Sequence, residues 1–489
     1  MAAIAGIIGD KVSPEQIGSM LNVLRHRGPD HSTIRDLPYG AIGCATFDTA
    51  YPTPAAFSGE REPYILLDGD IYNPRAGEIS DAALVRELYL EHGKSCFERL
   101  DGAYSCAIIR RDEVILIRDH IGARPLIYGT QGDRMLFASE AKALAKHVSA
   151  VQELEPGHYY SSKEGLQTFA GHTPAVPEAQ SPEETAKVLR ELIVEAVRKR
   201  MADGTVEGVA LSGGLDSSII AAVAKEFNSK LKLFSSTIER YPGKDIGNAK
   251  LMAQYLGLDH HIYRITDRDM ARIIPQAIWY LESFDEDCIS GFIANYYTSR
   301  LISRFANCIL VGEGADELFG GYFRELEEVT DPDQKEAVAR RLVDIAYNTA
   351  LRRLDRGWLA NSVNYRAPYL DSAVVRFSQK IPMRLKIKAG SGQQRGVEKW
   401  ILREAFRDIL PPEIANRPKL RFARGVGVDE LMDEITMDKV SEEELAQTTK
   451  TSQGMTFSSP KELYYYRLFK RCFPPAYEDL VTRWDPFKS

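Results

Sequence analysis

The chain is poor in cysteine and lacks the spacings that make cysteine structural. Its six residues of this type (Cys44, Cys96, Cys106, Cys288, Cys308 and Cys472) include no Cys-x-x-Cys pair. That excludes a zinc ribbon and a disulfide scaffold, and it predicts reduced, mostly buried thiols in a cytoplasmic protein. Long hydrophobic runs are also missing. No apolar stretch approaches the roughly 20 residues that span a bilayer. The start, Met1-Ala2-Ala3-Ile4-Ala5-Gly6, has neither the basic opening nor the apolar core of a secretory signal. A membrane partner is not expected. Nor is positive charge in excess: 62 basic against 69 acidic residues give a net charge of −7, so no global field favours nucleic acid.

At 489 residues the chain exceeds one ordinary core, and two domains are expected. The first 170 residues read as short strands with few helices: Ile4–Ile8, Gly40–Cys44, Tyr64–Leu67, Tyr104–Ile109, Val114–Ile117, Leu136–Ala138 and His158–Ser161. A helix is predicted over Asp81–Glu91, capped by Ser80 or Asp81, with Leu84, Leu88 and Leu90 apolar. The Pro-, Ala- and Ser-rich segment from Pro174 to Pro182 reads as a linker. Ser181-Pro182-Glu183-Glu184 then opens an amphipathic helix carrying Leu189, Ile193 and Val197. From residue 207 strands and helices alternate as in a parallel sheet: strands at 208–211, 231–238 and 308–311, and a helix at Asp245–Leu256.

The most informative string is Ser212-Gly213-Gly214-Leu215-Asp216-Ser217-Ser218, which follows an apolar strand and opens an apolar helix. A strand that stops at glycines and restarts as a helix aims free backbone N–H groups at one point, which suits an anion. The hydroxyls add donors, and Asp216 is placed to hold a Mg²⁺ that bridges phosphates. The string lacks the Gly-Lys-Ser/Thr ending of the common phosphate loop. It resembles the pyrophosphate loop of enzymes that split ATP into AMP and pyrophosphate. A second run, Val311-Gly312-Glu313-Gly314-Ala315-Asp316-Glu317, again sets glycines and acids just past a strand. Clustered acids repel unless a cation compensates, so Asp316 with Asp216 would give Mg²⁺ two protein oxygens. The plain alternative is an acidic surface loop.

Together these strings resemble the asparagine synthetase B family, of which β-lactam synthetase is a relative. The resemblance continues through Arg25-His26-Arg27-Gly28-Pro29-Asp30, Arg118-Asp119-His120-Ile121-Gly122, Arg366-Ala367-Pro368-Tyr369-Leu370-Asp371 and Glu398-Lys399-Trp400. It implies a four-layer αββα amidotransferase-like domain of the N-terminal-nucleophile type over 1–172, a linker over 173–184, and an α/β ATP-pyrophosphatase-type synthetase domain over 185–489. It also implies that a carboxylate attacks the α-phosphorus of ATP, that pyrophosphate leaves an acyl-AMP, and that ammonia or an amine forms the amide. Aspartate is the default acid, and a homodimer the expected assembly. The loop residues Ser212, Gly213, Gly214, Asp216, Ser217 and Ser218 would take the phosphates. Leu211, Ser236, Val311 and Gly312 would hold the nucleoside, Ser236 standing where the family usually has an apolar residue. Lys399 and Lys419 would stabilise the departing pyrophosphate, although Lys419 also reads as a plain surface lysine. Glu313 matches the glutamate of asparagine synthetases where β-lactam synthetases carry tyrosine; buried with a raised pKa, it would take a proton from the attacking amine. The ring-closing relatives use a glutamate near the position of Arg352, and Asn364-Tyr365 replaces the family's usual Glu-Ala, which would matter if that segment shapes the acid pocket.

The first half departs from the family at three of its catalytic parts. Glutamine-using members begin Met-Cys-Gly-Ile, with the thiol as nucleophile. Here the stretch that resembles that start is Ala5-Gly6-Ile7, preceded by four extra residues, and alanine cannot serve as the nucleophile. The glutamine-binding arginine falls at Thr46, and the oxyanion-hole Asn-Gly-Glu becomes Asp68-Gly69-Asp70, a carboxylate in place of an amide donor. Asp81 alone remains. Cys44 is a candidate substitute nucleophile or a core thiol, the latter expected. A ligase without glutaminase is expected; the alternatives are an amide- or lactam-forming ligase on a different acid or amine, as in secondary-metabolite, cofactor or RNA-modifying branches, and, from another class, a non-catalytic nucleotide-binding scaffold.

Overall fold

A computed structural model of the chain describes residues 2–47, 56–75, 79–169, 177–179, 181–322, 326, 329, 331–390, 396–418 and 425–485. In the first half two six-stranded antiparallel sheets lie face to face. One runs in spatial order Gln152–Glu153, Ile127–Gln131, Arg134–Ala138, Ala2–Ile8, Gly40–Thr46 and His31–Leu37. The other runs Gly165–Thr168, His158–Ser161, Val114–Arg118, Gly102–Ile109, Tyr64–Ile71 and Phe57–Ser58. Ile4, Ile42 and Cys44 of the first meet Leu66, Ala107 and Leu116 of the second. Helix Pro14–Val23 covers the outer face of the first sheet and helix Asp81–His92 that of the second. This is the expected αββα order.

Strands buried on both faces carry unbroken apolar runs, and those are the ones the sequence displays. Edge strand His31–Leu37 exposes six of its seven residues and carries no such run, so it is not legible. Helix Pro14–Val23 has a Ser13/Gln16 capping box and a proline in its first turn, a signal present in the sequence and not used. Helix Asp81–His92 is capped by Ser80, whose side chain accepts from Ala83 N at 3.2 Å. Its Leu90 is 57% exposed, not part of the apolar stripe. Two residues on from Leu88, it lies roughly 200° around the helix.

The second half is built on a five-stranded parallel sheet in the order His260–Ile265, Lys232–Ile238, Gly208–Ala210, Cys308–Leu310, Asn364–Arg366. The two edge strands were not expected, one being half-buried and the other only three residues long. Helix Pro182–Met201 is capped by Ser181, which accepts from Glu184 N at 3.1 Å, and buries Leu189, Ile193 and Val197. The strands ending at Ala210 and Leu310 are neighbours, so the loops that follow them emerge side by side at the carboxyl edge of the sheet, where such folds bind ligands. Among the described residues no helix is long and apolar enough to cross a membrane.

Candidate active site

The loop after Ala210 folds on its own hydroxyls. Ser212 N donates to Ser217 Oγ at 3.1 Å, the two hydroxyls are 3.0 Å apart, and Gly214 N donates to Ser212 Oγ at 3.1 Å. Gly214 then caps helix Leu215–Phe227. Gly213 adopts φ +80°, and a side chain there would collide with the Asp245 carbonyl. A Cβ on Gly312 would stand 2.8 Å from Ser217 N, so its absence lets the second loop lie across the helix N-terminus. Arg417 braces the turn through the Gly213 carbonyl and the Asp245 carboxylate. Ser218 Oγ is buried with no hydrogen-bond partner among the described residues.

Lys399 completes the mouth of this turn. Its Nζ lies 2.6 Å from Asp216 Oδ2 and 2.6 Å from Asp316 Oδ1, and the residue is 1% exposed. The two acids that the sequence assigns to Mg²⁺ therefore converge on one point, held there by one ammonium. Among the described residues no group of three or more histidines, cysteines or acids forms a metal cage. Two carboxylates supplemented by phosphate and water are the donor set Mg²⁺ commonly accepts, so the residues fit that ion.

Leu211, Ser236, Val311 and Gly312 line the same cavity as Ser212, Asp216, Ser217, Glu313 and Asp316. Gly213, Gly214, Ser218 and Lys399 do not line it, and Lys419 lies outside the described residues. The Ser236 hydroxyl is engaged with Thr298 Oγ1 of helix Glu286–Ile302 at 2.7 Å, and both residues line the cavity.

Three expectations need correction here. Glu313 is not an isolated buried carboxyl: its side chain is 23% exposed and lies 3.3 Å from Arg353 Nη2, while Arg353 Nη1 is 2.7 Å from Asp287. Burial would lower the Arg353 pKa, but Asp287 and Glu313 together raise it well above its ordinary value. Arg352, compared above with a ring-closing glutamate, leaves the cavity for the Leu281, Glu282 and Leu480 carbonyls and the Glu153 carboxylate. Asn364 and Tyr365 do not shape the cavity either; they face the first half, through Asp70 and the Ala123 carbonyl. The cavity instead gains Arg353, Asp287 and Asp429, which sequence reasoning missed. The only available signal was the Arg352-Arg353 doublet, with nothing to say which of the two turned inward.

In the first half the register places Ala2, not Ala5, at the position matched to the nucleophile. Ala2 stands opposite Thr46 and its N–H donates to Asp68 Oδ1 at 3.2 Å, whereas Ala5 is mid-strand between Gly43 and Ala138. Ala2, Ala3 and Ile4, read as part of an extension, lie in strand Ala2–Ile8. Asp68 also accepts from Arg27 Nη2 at 2.5 Å and Ser139 Oγ at 3.2 Å. Asp81, the one retained residue, accepts from Ile71 N and pairs with Arg75. Burial raises its pKa, and Arg75 offsets part of that. Cys44 is a core thiol, 2% exposed, with its pKa pushed up to about 12 by burial.

The sequence is similar to those of known proteins along nearly its whole length. A model described as asparagine synthase matches residues 188–339 and 327–478, and one described as a glutamine amidotransferase domain matches 1–171. Glutamine-hydrolysing asparagine synthetase 2 of Arabidopsis thaliana is 30% identical over 97% of this chain and 87% of its own. The glutamine-hydrolysing asparagine synthetase of Triphysaria versicolor is 31% identical over 95% and 84%. A probable one of Schizosaccharomyces pombe is 30% identical over 95% and 91%. With the loops carrying Asp216 and Asp316 converging on one lysine and relatives matched along nearly its whole length, the chain belongs to the asparagine synthetase family of ATP-dependent carbon–nitrogen ligases.

Proposed function

We propose that this protein activates a carboxylic acid, aspartate by default, with ATP, releases pyrophosphate, and passes the acyl group to ammonia or another small amine without hydrolysing glutamine. The convergence of Asp216 and Asp316 on Lys399 beside Glu313 carries the reading for the synthetase half. The helix N-terminus at Gly214–Ser218 binds the phosphates, and Leu211, Ser236, Val311 and Gly312 hold the nucleoside. Asp216 and Asp316 hold Mg²⁺, which supplies charge neutralisation for the phosphates. Lys399 and Lys419 neutralise charge on the pyrophosphate as it forms. Glu313, kept in place by Arg353, accepts the proton that the attacking amine loses. Without a thiol at Ala2, an arginine at Thr46 or an amide at Asp68, the first half has no route to ammonia from glutamine.

The test is pyrophosphate release from ATP, Mg²⁺ and aspartate, with ammonium chloride compared with glutamine. Turnover with ammonium and none above background with glutamine is expected. Equal rates with the two nitrogen sources would overturn the loss of glutaminase. Protein that binds ATP yet turns over with neither would overturn aspartate as the acid.

A further inference from the structure

The first half grips one helix of the synthetase half at three places. Helix Ala350–Leu359 carries Arg352, Asp355 and Arg356 on one face, at the i, i+3, i+4 spacing that keeps side chains together. Arg27 Nη1 lies 2.6 Å from Asp355 Oδ2, and Arg124 Nη1 3.2 Å from Asp355 Oδ1. Glu140 Oε1 is 3.4 Å from Arg356 Nη1, and Glu153 pairs with Arg352. All of these side chains are nearly or wholly buried, so their attraction is little screened.

The residue between those grips, Arg353, is the one that enters the cavity and meets Glu313 and Asp287. Its surroundings tolerate little slide. A Cβ on Gly357 would stand 2.6 Å from Asn295 Cβ, and one on Gly291 would collide with the Arg353 side chain. Helix 350–359 is therefore seated directly on helix Glu286–Ile302, which supplies Asp287. A small axial shift would carry Arg353 off both of its carboxylates.

We infer that Arg27, Arg124 and Glu153 of the amidotransferase-like half are positioning residues for the synthetase reaction: by holding Asp355 and Arg352 they fix the register of helix 350–359 and so the placement of Arg353 against Glu313. Arg27 is also the residue that fills the former glutamine centre, through Asp68, Glu140 and the Ala2 carbonyl. The first half is kept because the placement of Arg353 against Glu313 in the second half is set across their interface.

The inference rests on the ligase reading, which wild-type pyrophosphate release with acid and ammonium tests by itself. The experiment is a double-mutant cycle in the full chain, pairing Asp355→Asn with Arg353→Lys. KM for the acid, KM for ATP and kcat are measured for each variant, with a thermal melt to establish folding. In the otherwise native chain Asp355→Asn is expected to lower kcat about tenfold, through the displaced Glu313, while leaving the ATP KM within about twofold; on Arg353→Lys the same change should lower kcat less than about twofold, because both substitutions act through the one placement of Arg353. Equal factors in the two backgrounds, or a lower melting temperature with an unchanged kcat, would overturn the inference. If Asp355→Asn does not fold, Glu153→Gln, which loosens the grip at Arg352, takes its place in the same cycle with the same outcomes.

Discussion

The two halves of the molecule bury acids beside cations in the same way, but only one half leaves the pairing open to exchange. In the first, Asp68 is closed in by Arg27, Ser139 and Ala2, and Arg27 is itself held by Glu140 and Asp355. No ligand can take a place there without breaking several buried charge-assisted bonds at once. In the second, Asp216 and Asp316 share one lysine at the edge of a cavity, where phosphates and a cation can enter beside it. The same residue types therefore yield a closed lattice in one place and a cluster open to a cavity in the other. What decides is whether a partner can be displaced.

The strongest way to break this comparison is to treat the second cluster as structural too. Asp216→Ala and Lys399→Ala are each expected to lower pyrophosphate release by roughly a hundredfold to a thousandfold, the scale for removing a group that stabilises transition-state charge. Steady-state turnover at saturating ATP and acid measures it, with circular dichroism to establish that the fold is intact. Folded variants with turnover within a few fold of wild type would make the Asp216–Lys399–Asp316 cluster another structural lattice.

How much of this was legible in the sequence follows the same division. The loop Ser212–Ser218 declared itself because its chemistry is local: glycines, hydroxyls and one acid within seven residues, between a strand and a helix. Glu313 and Asp316 were legible for that reason as well. Lys399 was found by resemblance alone, since nothing near it in sequence says that it reaches Asp216, 183 residues away. The Arg353–Asp287–Glu313 arrangement and the lattice around Arg27 were not legible at all. Such contacts join residues tens to hundreds of positions apart, and single-chain patterns carry no record of which surfaces meet. The Ala5 error has a related cause: a short apolar start, Ala-Ala-Ile-Ala-Gly-Ile, slides along itself without penalty, and only pairing with Thr46 and Asp68 fixes its register.

The lattice in the first half should also show itself in acid. Burial alone would raise the Asp70 pKa, yet Arg366 and Arg124 hold it down at about 2, below its ordinary 3.8. A carboxyl with a depressed folded-state pKa favours folding while ionised, so its contribution is present above about pH 4 and lost as the pH falls toward 2. Asp70→Asn is expected to destabilise the chain by about 2 kcal/mol at pH 7. The gap between wild type and variant in urea melts should close as the pH drops from 4 to 2. A gap that stayed constant over that range would mean that Asp70 contributes through its shape rather than its charge.

The smallest expected effect is the most pointed. Ala2→Cys places a thiol directly after Met1, where the family's glutamine-using members carry theirs, and the alanine it replaces is fully buried in strand Ala2–Ile8. If the absent thiol were all that separates this half from activity, the variant would release ammonia from glutamine. It is expected to release none above background in a glutamate-formation assay, and to leave ammonium-dependent turnover within about twofold, since one added sulfur atom in the first half's sheet touches no residue of the cavity. Three further obstacles stand in place: Thr46 offers no guanidinium for the substrate carboxylate, Asp68 presents negative charge where an oxyanion would form, and Arg75 occupies the acid at Asp81. A thiol activated at an N-terminus needs those groups to hold glutamine long enough to attack it. Glutamate formation by Ala2→Cys would show that the Arg27 and Arg75 pairings yield to substrate, and the contrast between a closed and an open half would then be one of degree.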